Sequence, residues 1–329
     1  MPNYLNKDMV TGPGSEPMNC HNCVTLTIAY ILLMTEKEPK QLREIKPALA
    51  GYIRDSLVLL SQLPVPDDDA IHDIRVMMKR QRATIKLLKP LLEEESYQRE
   101  YLAGREIGRI LCSWREMSVL YKTAKALKKE NPKLFLKLWD NEKVQSLLRK
   151  PYSTWTAAGE QSKSVKEISA RLIKAQYRVR FLKLKEPDIL LLLEELERSY
   201  LIAAKAYLDC RNDPRQRLLH EFRKKSKTLL YQLYYFRPLN QPAIKSLEKR
   251  LDYLTQNLGK YNDLSQITGM IGYKYGNPGN SAVMDELAVV IRDKQDRYLS
   301  KIWPTAYRIF TPGKNPEDLL GFAVLKNLT

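Results

Sequence analysis

With 329 residues, 44% of them hydrophobic and only 13 glycine, the chain is long and apolar enough for a packed, helix-rich core. Fifty-five Lys and Arg against 38 Asp and Glu leave a formal charge of +17, an excess that calls for a polyanionic partner: nucleic acid, anionic lipid or inorganic polyphosphate. Four cysteines are too few for a disulfide scaffold at this length.

Residues 1–23 carry Pro2, Gly12, Pro13, Gly14 and Pro17 with little apolar periodicity and read as a flexible tail. Cys20 and Cys23 have CxxC spacing, but no second pair exists to complete a zinc site, so no metal is expected and the thiols are read as reduced, in a cytoplasmic protein. The apolar run Val24 to Met34 is too short to span a bilayer. It also lacks the cationic flank and small-residue cleavage site of a signal peptide. It is expected to pack on the fold or to extend from it, and no membrane partner follows.

From Lys40 onward the pattern is helical, with helices expected at about 40–63, 68–89, 94–129, 132–149, 160–186, 188–211, 214–237, 241–270 and 280–303. Pro64-Val65-Pro66 followed by Asp67-Asp68-Asp69 marks one helix start, and Asp213-Pro214 marks another. No strand-like alternation persists beyond the tail. The fold class is therefore all-α.

Two of these helices repeat a motif about 150 residues apart. The first contains His72, Asp73, Arg75, Lys79, Arg80 and Arg82; the second contains His220, Glu221, Arg223, Lys224, Lys227 and Tyr231. Only three histidines exist in the chain, and two hold the same slot of this repeat. On a helix His72, Arg75, Lys79, Arg82 and Lys86 fall in one sector, beside an apolar sector of Ile71, Ile74, Met78 and Ile85. His220, Arg223 and Lys227 take the matching sector of the second helix, extended by Tyr231 and Tyr234, while Phe222, Leu229 and Leu233 face inward. Cations flanked by core belong at the lip of a groove, where Coulomb attraction strengthens. Arg80 falls outside both sectors and is expected to face water. From Arg75 to Lys89 there are six cations and no carboxylate, and Glu221 is the only acid from Arg215 to Arg237. Pairing within these helices cannot neutralise them.

The duplication divides the folded part near residue 187 into two helical bundles related by pseudo-symmetry, about 40–186 and about 187–303, which would bring the two basic faces towards each other across the interface. A third stripe runs Arg105, Arg109 and Arg115, balanced between ligand contact and a network with the neighbouring glutamates. A fourth, Arg171, Lys174, Arg178 and Lys185, reads as surface.

The ordered constellation resembles the CHAD family, the conserved-histidine α-helical domain. It rests on His72-x-x-Arg75-x-x-x-Lys79-Arg80-x-Arg82, on His220-x-x-Arg223-Lys224-x-x-Lys227-x-x-x-Tyr231, on Arg105-Glu106 through Arg115-Glu116, and on Leu258-Gly259-x-x-x-Asp263-Leu264. Thr228 and Leu230 replace the second motif's counterparts of Arg80 and Arg82, and Glu116 stands where the family often has Asp. The resemblance covers about residues 40–300, with the domain taken as 24–310 and 311–329 as a C-terminal extension. It implies two four-helix bundles around a central basic channel, binding of inorganic polyphosphate, and association with polyphosphate granules and their proteins. The tail has no Glu-x-Glu-x-Lys strand of a triphosphate tunnel domain, so triphosphate hydrolysis is not carried over.

The expected activity is capture of polyphosphate without chemistry and without a cofactor. The expected site comprises His72, Arg75, Lys79, Arg82, Lys86, Arg105, Arg109, Arg115, His220, Arg223, Lys224, Lys227 and Tyr231. Nucleic-acid binding is the rival, though stacking aromatics serve only one half. A phosphohydrolase using Mg²⁺ on Asp73, Glu116 or Asp263 is the weaker alternative, because no Gly-rich phosphate loop is present.

Overall fold

A computed structural model describes residues 44–61, 66–149, 158–186, 189–273 and 281–311, with backbone alone at 158–162. The N-terminal segment expected to be a flexible tail, the CxxC pair, the apolar run and the C-terminal extension after Thr311 lie outside these residues. The described residues contain no strand, as the sequence predicts. In chain order the helices are α1 (Ile45–Ser61), α2 (Asp68–Leu87), α3 (Glu94–Ile110), α4 (Cys112–Glu130), α5 (Pro132–Lys137), α6 (Glu142–Leu148), α7 (Ala158–Arg180), α8 (Ile189–Asn212), α9 (Gln216–Leu233), α10 (Gln241–Met270) and α11 (Ala282–Ile309). Short 3-10 turns at Lys89–Leu91 and Tyr234–Phe236 follow the two motif helices α2 and α9.

Capping explains most of the boundaries. Asp67 accepts from the Ala70 amide at 2.7 Å and starts α2, with Asp68 and Asp69 in the first turn. The predicted 94–129 helix is broken at Leu111 (φ −80°, ψ 0°), where α3 ends and α4 begins. The predicted 132–149 helix is two: the chain turns at Leu138, and the Asn141 side chain caps α6 through the Lys143 and Val144 amides. Asp213-Pro214, expected as cap and first turn, instead lies just before α9: Arg215 holds the N-cap position without a side-chain hydrogen bond, and the first helical residue is Gln216. The last helix continues through Pro304 to Ile309. Ala306 and Ile309 on that final stretch are fully buried, and their packing offsets the missing Pro304 donor.

Helix α1 packs on α2 and α7, and α3 packs on the same two partners. Downstream, α9 lies between α8 and α10, and α10 runs along α11. The motif helices α2 and α9 also pack directly on each other. The apolar positions of both motifs lie in one core around that seam: Ile71, Ile74, Met78, Ile85, Phe222, Leu229 and Leu233 are all 1% exposed or less. Polar ties cross it too. The Gln232 amide donates to the Ala83 carbonyl at 3.1 Å, and the Thr84 and Tyr235 hydroxyls bond at 2.9 Å. Burying such side chains contributes roughly 1.5–3 kcal/mol each, so the seam is fixed rather than sliding.

A second core forms beside this one. Leu120, Ala124 and Leu127 of α4, with Leu134, Phe135, Val144 and Leu147 beyond it, pack against Leu264 and Ile267 of α10 and Met284, Leu287 and Ile291 of α11. Helices from early and late in the chain thus share one hydrophobic cluster.

Candidate functional site

The seam between α2 and α9 gathers cations from both helices. Lys79 lies there half-buried and makes no hydrogen bond or ion pair with a described residue. Burial pushes its pKa down to about 7, and Arg223, Arg75, Arg82 and Lys227 act in the same direction. Two of those cations come from its own helix and two from α9.

The other members are anchored. Arg75 donates from Nη1 to the Gly108 carbonyl at 2.6 Å, with Nη2 3.8 Å from Cys112 Sγ. Arg223 makes the corresponding bond from Nε to the Thr255 carbonyl at 3.1 Å. A Cβ at Gly259 would stand 3.1 Å from Arg223 Nε and 3.2 Å from Nη2, so glycine lets the guanidinium lie against α10. One turn on, Asp263 is pushed up by burial, and the fields of Arg223 and Arg115 oppose that rise. The segment Leu258-Gly259-x-x-x-Asp263 therefore works as a seat for Arg223. Lys227 reaches Asp252 Oδ1 at 3.1 Å, with its ammonium 5.7 Å from the Tyr231 ring centre.

The first motif continues toward α3. Burial lowers the Arg82 pKa, Tyr101 opposes the fall, and exposed Arg105 stands close enough to add repulsion. Lys86 lies 5.7 Å above the Tyr101 ring, and its pKa is lowered chiefly by burial, with Lys225 and Arg82 repelling it and Glu195 attracting it.

Both histidines border the cluster. Burial, then Arg115 and Lys79, hold His72 below its ordinary pKa, against Asp73 and Asp68. Burial, then Lys224 and Arg223, do the same to His220, against Glu221 and Asn262. His220 Nδ1 is buried with no hydrogen-bond partner among the described residues. Arg115 itself is committed to Asp68 Oδ2 at 2.8 Å. Burial raises the Asp68 pKa, but hydrogen bonds from Lys122, Ser118 and Arg115 together win and hold it to about 2.

Not every predicted residue joins. Arg109 is 70% exposed and turns to Glu106 of its own helix at 2.9 Å. Lys224 turns to Glu221 at 2.6 Å. Arg178, read as surface, instead bonds bidentately to Glu100, whose side chain is 0% exposed, at 2.6 and 3.3 Å. A buried carboxylate needs that cation, so Arg178 is structural. Arg80 is exposed as expected, yet its guanidinium lies 5.7 Å above the Tyr231 ring of the other motif helix. Tyr231 thus has a cation from each helix over its ring.

Tyr101, Gly259 and Asp252 were not singled out as site residues by spacing. Tyr101 and Asp252 sit on helices whose facing depends on the packing of α3 and α10, which no local pattern encodes. Gly259 carries a signal: it belongs to the Leu258-Gly259-x-x-x-Asp263-Leu264 segment, and a glycine in mid-helix usually has a packing reason. The acids weighed as metal ligands are dispersed. Glu116 accepts from Cys112 at 3.1 Å, Asp263 faces two arginines, and no three His, Cys, Asp or Glu among the described residues could jointly hold a metal. Among the described residues no helix is long and apolar enough to cross a membrane.

The family model described as "CHAD domain" matches residues 54–271. Among solved structures, the chain is similar to the crystal structure of the CHAD domain from the plant Ricinus communis, at 16% identity and a TM-score of 0.45, covering 88% of this chain and 92% of that one. No curated protein sequence matches.

Proposed function

The chain belongs to the CHAD domain family, and we propose that it binds inorganic polyphosphate without cleaving it, in a basic channel between two pseudo-symmetric helical bundles. The observation that carries this reading is Lys79: a half-buried ammonium with no described acceptor, pressed by Arg75, Arg82, Arg223 and Lys227. Such a cluster raises the energy of the empty protein, and a linear polyanion with a charge on every unit relieves it. Forked arginine donors, held by the Gly108 and Thr255 carbonyls, meet phosphate oxygens in fixed directions, while Lys79 and Lys227 adjust as point charges. The matched Arg75 and Arg223 bonds support descent of the bundles from one duplicated unit.

Retention of polyphosphate without hydrolysis fits the acids' positions, since Glu116 and Asp263 are engaged with Cys112 and arginines, and with Asp73 they form no metal-holding group among the described residues. Nucleic acid is the weaker ligand on the same grounds. Stacking needs open aromatic faces, and Tyr231 and Tyr101 carry cations over theirs. Association with polyphosphate granules follows from this affinity and belongs to the same proposal.

The test is competition between long-chain polyphosphate and single-stranded DNA of matched charge at one salt concentration, with orthophosphate release followed in parallel. Polyphosphate should displace DNA and remain intact. Preference for DNA, or steady release of orthophosphate, overturns the assignment.

A further inference from the structure

A cleft of about 1010 Å³ opens between α1, the end of α9 and the start of α10. It is no part of the Lys79 cluster, but it shares Lys227 with it, and Arg80 and Tyr231 form its wall. Six cations line it against four carboxylates. Three of the acids are spent: Asp55 on Arg54, Glu248 on Arg237 at 2.8 Å, and Asp252 on Lys227. Arg80, Lys245 and Lys249 have no carboxylate partner among the described residues. Lys245 and Lys249 are one turn apart on α10, about 6 Å along its axis, where like charges repel. The acids nearest them in sequence, Glu248 and Asp252, already face Arg237 and Lys227. Lys227 thus lines the cleft while its charge also bears on Lys79 in the seam.

Resting on the polyphosphate reading above, we propose that this cleft continues the polyphosphate path beyond the seam and makes the protein select long chains over short ones. A short oligomer is satisfied by the seam cations alone. A longer one runs past Lys227 and Arg80 and reaches Lys245 and Lys249. The occupant is the same polymer rather than a separate ring-bearing ligand, because Tyr231 has both Arg80 and Lys227 over its ring and Tyr234 carries Arg237 at 4.7 Å.

The experiment is calorimetric titration of tripolyphosphate and of long-chain polyphosphate into the full chain, for wild type, K245Q/K249Q and the charge-matched control K125Q/K129Q on α4. Both pairs are exposed, so folding is not at stake. The cleft variant should lose roughly tenfold in affinity for the long chain, with its salt slope shallower by about two, and stay within about twofold for tripolyphosphate. No loss on the long chain, an equal loss on both ligands, or a loss matched by the control overturns the proposal. Failure of wild type to bind either polymer instead removes the polyphosphate reading, and this inference with it.

Discussion

Arg75 and Arg223 make the same bond in two places: each donates to a main-chain carbonyl on the helix that follows its own, thirty-three residues ahead in one case and thirty-two in the other. Each guanidinium is thereby aimed before any ligand arrives. The two arginines are not equivalent, however. Beside Arg75 the α3–α4 break supplies Cys112, itself bonded to Glu116, whereas beside Arg223 an unbroken α10 supplies Gly259 and half-buried Asp263.

That difference makes Arg223→Met pH-sensitive. Without the guanidinium, the Asp263 carboxyl, already raised by burial, rises further. A raised acid binds more protons when folded, so its penalty is absent at acid pH and grows as pH climbs through the folded value. Thermal melts should show the variant losing about 1–3 kcal/mol at neutral pH and less at pH near 5. A loss independent of pH would assign the effect to the Thr255 bond alone.

Lys79 carries the opposite sign. Its folded pKa of about 7 lies below the ordinary value, so the unfolded chain binds the extra proton between the two. Wild-type stability should rise from pH 7 towards pH 10 relative to Lys79→Met, which removes the strained charge and melts higher at pH 6.5. Polyphosphate binding restores the ammonium, so wild-type affinity should fall by up to about tenfold per pH unit above 7. Titrations in buffers of different ionisation enthalpy read the proton uptake directly, and its absence contradicts the assignment.

At Gly259 stability and binding should separate. Alanine favours a helix by about 1 kcal/mol, but its Cβ presses on the Arg223 guanidinium. Gly259→Ala should melt at or above the wild-type temperature while binding polyphosphate several-fold more weakly. Melting curves and titrations on one preparation check both halves.

Arg109→Gln serves as a negative control. Its exposed pair with Glu106 contributes about 0.3–0.5 kcal/mol, and it stands apart from the cluster. Both affinity and melting temperature should hardly move. Charge reversal at Arg82, by contrast, should flatten the salt dependence by about one or two contacts.

Much of this arrangement is legible without coordinates. The apolar stripes of α2 and α9, Ile71 to Ile85 and Phe222 to Leu233, fix which side is core, and the cation rows beside them follow at helical spacing. What escapes a one-dimensional reading is partner choice. Arg82, Arg109 and Arg178 look alike in a helical pattern, yet one faces Tyr101, one its own Glu106, and one a fully buried Glu100. Those outcomes depend on how helices distant in sequence cross. The break at Leu111 escaped for a different reason: no proline or glycine occupies that position to announce it.

The shared hydrophobic cluster of α4–α6 with α10 and α11 bears on how the chain is made. During synthesis Leu120, Leu134 and Leu147 emerge long before Met284 and Leu287, which cover them. That apolar side stays wet until α11 has been made, so the core of α4–α6 closes late in synthesis. Separately expressed halves, cut in the loop before Ile189, should each be insoluble and regain solubility only when produced together.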